Sequence, residues 1–170
     1  MEGLIPQLGL ALAIGLLVGL ERGWRERDAP DGARTAGIRT YGISGLLGGL
    51  VQALSLRLDA PSVLIAGLVV FTAVLTWFKV RESIRDGTFS ATGVIAGLGV
   101  FVLGALSVAG EQVAAAAGGA ALAAVLASRE ILHGLLKRIT WLELRSALVL
   151  AAMTAIVLPL LPARAIDPWG

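Results

Sequence analysis

The chain has 170 residues, of which 56% are hydrophobic and only 15% are charged. Soluble domains carry about 25% charged residues, so this composition, with a mean hydropathy of +0.84, indicates a membrane protein. The absence of cysteine and the single histidine, His133, exclude disulfides, cysteine metal sites and histidine-cluster metal sites. The net charge is only +2, and the basic residues lie between apolar runs. We therefore attribute the basic pI to membrane topology and expect no nucleic-acid partner.

Six apolar segments follow one another along the chain, each close to the ~20 residues that a spanning helix needs. Their apolar runs are continuous rather than alternating, which excludes spanning strands. We predict an all-α, polytopic transmembrane helix bundle of about six spans in the lipid bilayer. The predicted spans are residues 4–20, 38–56, 62–78, 91–109, 113–132 and 146–161.

Small residues recur every four positions in the first segment, at Ala11, Gly15, Gly19 and Gly23. This spacing places them on one face of a helix, where they form a small-xxx-small stripe. The stripe predicts a close contact with a neighbouring helix. The alternative is a ligand that approaches the bare backbone.

The basic residues predict the orientation of the chain. The turns after the first, third and fifth segments contain 12 of the 14 lysines and arginines, and the opposite side contains only Arg57 and Arg164. By the positive-inside rule, the three basic turns face the cytoplasm and both termini lie outside.

The first two segments carry a motif of a Gly-rich helix that ends in Gly-x-Glu-Arg, followed by Ala-Gly-x-Arg-Thr at the start of the next helix. This pattern resembles the signature of the MgtC/SapB family, and Gly-Thr-x-x-x-Thr before the fourth segment resembles the family's start of that helix. The residues that carry the resemblance are Gly15, Gly19, Glu21, Arg22, Ala36, Gly37, Arg39, Thr40, Gly87, Thr88 and Thr92.

The resemblance covers about residues 1–110, which we interpret as the MgtC/SapB-like membrane core. Residues 111–170 are interpreted as an additional two-helix membrane segment of the same domain. This segment is similar to the longer subgroup of the family, in which a second membrane domain follows. The chain is thus expected to correspond to the N-terminal half of such a protein.

The resemblance implies a multi-pass protein of the bacterial inner membrane that acts in homeostasis or transport of Mg²⁺ or another ion. The alternative is a regulatory membrane module that binds and modulates another membrane protein, such as the ATP synthase. We expect no enzyme and no cofactor, because no catalytic triad, Walker loop or His-Glu-x-x-His motif is present. The small, glycine-rich chain favours a homo-oligomer, with a dimer preferred.

The first group of candidate site residues is Glu21, Arg22, Arg39 and Thr40, where the first two segments meet the cytoplasm. Ionisable groups at membrane depth are expensive and are functional candidates by default. A Glu21–Arg39 ion pair would neutralise both charges. Three interpretations stay open: the pair joins two helices, Glu21, Arg39 and Thr40 line a polar cavity for an ion or a small anion, or the long side chains reach the membrane interface without a specific role.

The second group is Asp86, Thr88 and Thr92, at the start of the fourth segment. Their side chains suit a helix cap, and the alternative is an oxygen-rich cation site shared with Glu21. Gln52 is a polar residue inside the second segment, and it suits an interhelical hydrogen bond or a ligand contact.

The transport and regulatory hypotheses make different structural predictions. A transporter should place Glu21, Arg39, Gln52 and Asp86 around a hydrated cavity. A regulator should instead expose a small-residue face to lipid, such as Ala11/Gly15/Gly19 or Gly93/Gly97.

Overall fold

A computed structural model describes residues 3–25, 27, 36–87 and 90–157. Within these ranges the chain forms seven α-helices and no strand, which confirms the all-α prediction. The helices are α1 (Leu4–Arg25), α2 (Ile38–Arg57), α3 (Pro61–Asp86), α4 (Thr92–Val108), α5 (Gln112–Ala127), α6 (Arg129–Arg138) and α7 (Trp141–Val157). The chain divides into two compact units between Ala127 and Ser128.

Two of the described helices, α1 and α3, are long and apolar enough to cross a membrane. A third candidate exists if α5 and α6 are taken together as one span. Helix α2 has 20 residues, but glycine, serine, Arg39 and Gln52 lower its hydropathy, and α4 has only 17 residues. Six spans with both termini outside therefore stay a prediction.

The first unit is built around α1, α2 and α4, which pack against one another. Helix α3 packs on α2 and α4, while α5 packs on α1 and α4. The largest fully buried side chains are those of Tyr41, Phe101, Val18 and Val100. Each comes from one of the three central helices, so the core of this unit lies between them.

The small-residue stripe of α1 makes the predicted helix contact. A Cβ atom on Gly15 would lie 2.9 Å from Cα of Gly42, and one on Gly19 would lie 2.9 Å from Cα of Ile38. Real Cβ atoms essentially never come within 3.0 Å of such neighbours. The backbones of α1 and α2 therefore touch at these positions, and the prediction of a close-packed contact is confirmed.

Helix α3 is attached to the outside of the central three helices. Leu75 is its only buried residue in the described chain, and the leucine side chain fits over Gly97 of α4. Phe71 stacks on Phe101 with the ring centroids 5.0 Å apart. The helix ends at Gly87, whose φ of 63° lies in the left-handed region that glycine adopts without strain.

The second unit contains α6 and α7. The sequence analysis was wrong to extend a single helix over 113–132, because the helix breaks at Ser128. The reason is the residue pattern: Arg129–Arg138 alternates polar with apolar pairs and thus forms an amphipathic helix, unlike the apolar α5. Helix α7 begins at Trp141, because Thr140 and Glu143 form a capping box. Residues 158–161 of the sixth predicted span lie outside the described residues.

Candidate functional site

Five helix ends meet at one end of the first unit. Helices α1, α3 and α5 end there, and α2 and α4 begin there, because successive helices run in opposite directions. Arg25 at the end of α1 donates from Nη2 to the carbonyl oxygen of Leu126 near the end of α5, at 2.8 Å. We call this region, which contains Glu21, Arg22, Arg25, Lys79 and Glu82, the charged end.

Arg22 is the buried cation of the charged end. The residue is only 8% exposed, and it makes no hydrogen bond or ion pair with any residue in the described part of the chain. Its Nη2 would lie 3.1 Å from a Cβ atom placed on Gly93 of α4. Burial of a charged group without a partner is costly, so this position needs an explanation beyond packing.

A small cavity of about 20 Å³ lies beside Arg22, and this volume has room for about one water molecule. Lys79 and Glu82 of α3 form an ion pair at its edge. The Tyr41 hydroxyl donates to the carbonyl oxygen of Gly93 at 3.2 Å. The residues that line the cavity are Arg22, Ala36, Tyr41, Leu75, Lys79, Glu82, Gly93 and Val94.

Glu21 pairs with Arg25 rather than with Arg39, so the predicted Glu21–Arg39 ion pair is wrong. The Arg25 Nε lies 3.2 Å from Oε1 of Glu21. These residues are one helical turn apart on α1, and this proximity favours the local pair over one across the loop. The second carboxylate oxygen, Oε2, is buried and has no hydrogen-bond partner among the described residues.

Arg39 and Thr40 lie in the first turn of α2, and Arg39 is exposed. The backbone carbonyl of Thr40 accepts a hydrogen bond of 2.7 Å from the Ser44 hydroxyl. Neither side chain lines the cavity beside Arg22. Of the first candidate group, only Arg22 reaches the cavity.

The second candidate group is not assembled into a site among the described residues. Asp86 is exposed and accepts from Arg85 Nε at 2.8 Å, Thr92 is exposed, and Thr88 lies outside the described residues. Asp86 does not cap α4, whose N-cap residue is Ala91, and the predicted cap by Thr88 falls on a residue outside the described ranges. No group of three acidic or histidine residues within the described ranges could hold a metal ion.

Gln52 lies toward the opposite end of the bundle. It is 14 residues beyond the start of α2, which corresponds to about 21 Å along the helix. Its Oε1 is buried and has no hydrogen-bond partner in the part of the chain that the structure describes, so this oxygen makes no interhelical hydrogen bond there. Gln52 and the charged end therefore do not share a cavity.

Sequence reasoning missed Tyr41, Lys79, Glu82 and Gly93 as site residues. Lys79 and Glu82 have the i, i+3 spacing of a helical ion pair, which is a detectable signal. Tyr41 directly follows the Gly-x-Arg-Thr motif. No local pattern indicates that these residues meet Arg22, because the meeting depends on how four helices pack.

Neither small-residue face named in the sequence analysis is exposed as a whole. Ala11, Gly15 and Gly19 are buried, and Gly97 is covered by Leu75. The four residues predicted for a transport cavity do not surround one either. The structure thus matches neither prediction, and it presents a different cavity instead.

Comparison with known proteins gives one match. The MgtC family model matches residues 8–135, about three quarters of the chain. The matched stretch includes most of α1, all of α2 to α5 and most of α6, and therefore all residues of the charged end. No curated protein and no solved structure matches the chain.

Proposed function

Because the chain belongs to the MgtC family, we propose that this membrane protein acts in ion homeostasis in the bacterial inner membrane, without enzymatic activity. In this proposal, the cavity beside Arg22 is where the protein engages an ion. Transport of that ion is the first form of the hypothesis.

The observation that carries the proposal is the buried charge of Arg22. Arg22 is 8% exposed as a whole residue and lines the cavity, and burial of a charged residue is costly in a membrane protein. Charged side chains in membrane segments mark ion and substrate pathways more often than packing contacts. The family match covers α1, α2, α3 and α4, which supply the cavity's lining.

The ion pairs of the charged end also indicate whether the bound ion is an anion or a cation. Glu21 is engaged by Arg25, and Glu82 is engaged by Lys79. Mg²⁺ needs several oxygen ligands, and the described residues offer no acidic cluster for it. The geometry therefore supports an anionic partner for Arg22 better than a bound cation.

Flux measurements in liposomes test this proposal. Purified protein would be reconstituted, and the flux of Mg²⁺, Na⁺, H⁺ and phosphate down imposed gradients would be recorded against empty liposomes. We expect flux of at least one ion, reduced by about tenfold in Arg22→Gln, the change that loss of about 1.4 kcal/mol produces. Arg39→Gln is the control, because it removes an equal but exposed charge at the same end. The absence of flux for every ion would refute transport.

A regulatory role is the second candidate, and it is favoured by the exposed face of α3. An apolar groove of about 610 Å³ runs along this helix, and large apolar residues remain exposed in it and beside it, such as Val69 and Val70 respectively. In this hypothesis, the face of α3 binds another membrane protein, such as the ATP synthase, or a second copy of the chain. The residues that line the groove are Leu68, Val69, Thr72, Ala73, Thr76, Trp77, Val80 and Leu98.

Site-specific photocrosslinking distinguishes binding of another membrane protein from binding of a second copy of the chain. A photoreactive amino acid at Val69 lies in the groove, and one at Leu54 of α2 is an exposed control outside it. A discrete protein adduct from position 69 alone supports the regulatory hypothesis, and an adduct of twice the chain's mass supports a homodimer. If both positions give only lipid adducts, the regulatory hypothesis is refuted.

A further inference from the structure

We propose that the cavity beside Arg22 binds a phosphate group, held by Arg22, Lys79 and the amino end of α4. This inference rests on the proposed function, since it names the ligand class of the same site. It gives Arg22 a binding partner, which the described residues do not provide.

The first argument is the charge balance of the cavity. Arg22 and Lys79 are its cations and Glu82 is its only acid among the described lining residues. Lys79 and Glu82 neutralise each other as an ion pair, and Glu21, the preceding residue on α1, pairs with Arg25. Among the described residues, one positive charge therefore remains on Arg22, and an opposite charge with good hydrogen bonds would stabilise it.

The second argument is the amino end of α4. Its N-cap residue, Ala91, makes no side-chain cap hydrogen bond, and Gly93 and Val94 of the first turn line the cavity. The first four backbone N–H groups of a helix lack intrahelical acceptors, and this end carries a partial positive charge. These features together favour an anion at a helix amino end, here next to the guanidinium of Arg22.

The third argument is the geometry over Gly93. Side chains from three helices converge there: Arg22 Nη2, Lys79 Cε and the Tyr41 hydroxyl would lie 3.1, 3.9 and 3.9 Å from a Cβ on this glycine. Because Gly93 has no side chain, this space stays open. A guanidinium presents a planar fork of donors that matches the oxygens of a phosphate.

The size of the cavity limits how the phosphate enters. About 20 Å³ accepts one water-sized group, so one phosphate oxygen enters beside Arg22. The remainder of the group stays at the mouth, where the side chain of Lys79 is 17% exposed. This arrangement suits a phosphate that is attached to a larger molecule as well as a free one.

Two tryptophans indicate the depth of the cavity in the bilayer. Trp24 and Trp77 are 71% and 61% exposed, and each lies two residues from a cation of the site, Arg22 or Lys79. Exposed tryptophans are enriched at the level of the lipid headgroups. The phosphate of a lipid headgroup is therefore available at this depth, and inorganic phosphate from solution is the other source.

Thermal unfolding of the purified protein in neutral detergent tests the proposal. The probes are inorganic phosphate, chloride at equal ionic strength, phosphatidylglycerol, and a diacylglycerol with the same acyl chains but no phosphate. A ligand that binds only the folded state raises the unfolding temperature. We expect a rise of several degrees with inorganic phosphate, phosphatidylglycerol or both, and none with diacylglycerol.

Three variants make the test specific. Arg22→Gln and Lys79→Gln should each lose the phosphate-dependent rise, while Arg39→Gln, which removes an exposed charge at the same end, should keep it. Without phosphate, Arg22→Gln should be at least as stable as the wild type, because it removes a buried charge that has no partner among the described residues. A purely structural role for Arg22 would instead lower the stability of this variant under all conditions.

Each outcome is decisive. A rise with phosphatidylglycerol alone identifies a lipid headgroup, and a rise with inorganic phosphate identifies a soluble ligand. An equal rise with chloride, no rise with either phosphate compound, or a full rise in Arg22→Gln would overturn the proposal. Binding without flux in liposomes would refute transport but not this site, and flux without binding would refute only this site.

Discussion

Gly48 of α2 lies directly against the backbone of Phe101 on α4, so that a Cβ on this glycine would fall within 3.0 Å of the Phe101 carbonyl. One turn away, Gly104 of α4 meets the backbone of Gly45 in the same manner. The two helices therefore touch through their main chains. This contact sets the spacing of the helices that carry Tyr41 and Gly93 to the cavity.

Gly48→Ala should destabilise the fold strongly. The added methyl group meets backbone atoms that cannot rotate away, and overpacking of this kind costs about 1–3 kcal/mol. The matched control is Gly9→Ala on α1, where a Cβ would meet nothing within 4 Å and alanine favours the helix by roughly 0.5–1 kcal/mol. Thermal unfolding in detergent measures both changes. Equal stability of the two variants would contradict the backbone contact.

Gly93→Ala should weaken phosphate binding while it leaves the fold intact. The new methyl group would lie 3.1 Å from Arg22 Nη2, which is a flexible side-chain end that can shift by a few tenths of an ångström. The shift fills part of the cavity, so we expect about tenfold weaker binding, equivalent to about 1.4 kcal/mol. Titration calorimetry with inorganic phosphate and phosphatidylglycerol measures the change, and Gly9→Ala again serves as the control. Unchanged affinity would place the ligand elsewhere.

Glu21 and Arg25 should be energetically coupled, and Glu21 and Arg39 should not. Both members of the Glu21–Arg25 pair are partly shielded from water, and helical i, i+4 pairs contribute about 0.2–0.5 kcal/mol. A double-mutant cycle with Glu21→Gln, Arg25→Gln and Arg39→Gln, measured by the free energy of unfolding, separates the two pairs. Coupling only between Glu21 and Arg39 would restore the ion pair predicted from the sequence.

The orientation of the chain is testable by cysteine labelling, because the natural chain has no cysteine. Asp28→Cys, in the first basic loop, should resist a membrane-impermeant reagent added to intact cells. Leu58→Cys, in the exposed turn after α2, should react with the same reagent. Disruption of the cells should make both positions reactive. The opposite labelling pattern would invert the predicted orientation.

The sequence was sufficient to predict helices α1 to α4 and the contact between α1 and α2, because both follow from local patterns. Ala11, Gly15 and Gly19 repeat with the period of a helix and therefore identify the face that packs. The Gly-x-Glu-Arg and Gly-x-Arg-Thr motifs likewise located the family and one residue of the cavity, Arg22.

The partners of the charged residues could not be predicted in the same way. In a plausible fold, Glu21 can reach Arg22, Arg25 or Arg39. Only the packing of the helices determines which of these arginines pairs with it. Lys79, Tyr41 and Arg22 converge over Gly93, and these four residues belong to four different helices. The break at Ser128 was visible as a change from an apolar to an amphipathic pattern, but the apolar residues on both sides favoured one long helix.

Because α3 is attached loosely to the other helices, we expect the shape of the cavity to depend on the thickness of the bilayer. The helix has 26 residues and is therefore about 39 Å long, whereas the hydrocarbon core of a bilayer is about 30 Å thick. A helix that exceeds this thickness tilts or extends beyond the hydrocarbon, and α3, with Leu75 as its one buried residue, is held by few protein contacts that resist tilting. Since Lys79 and Glu82 belong to α3, we expect a change in membrane thickness to change their distance from Arg22, and lipid composition thereby to alter the mouth of the cavity.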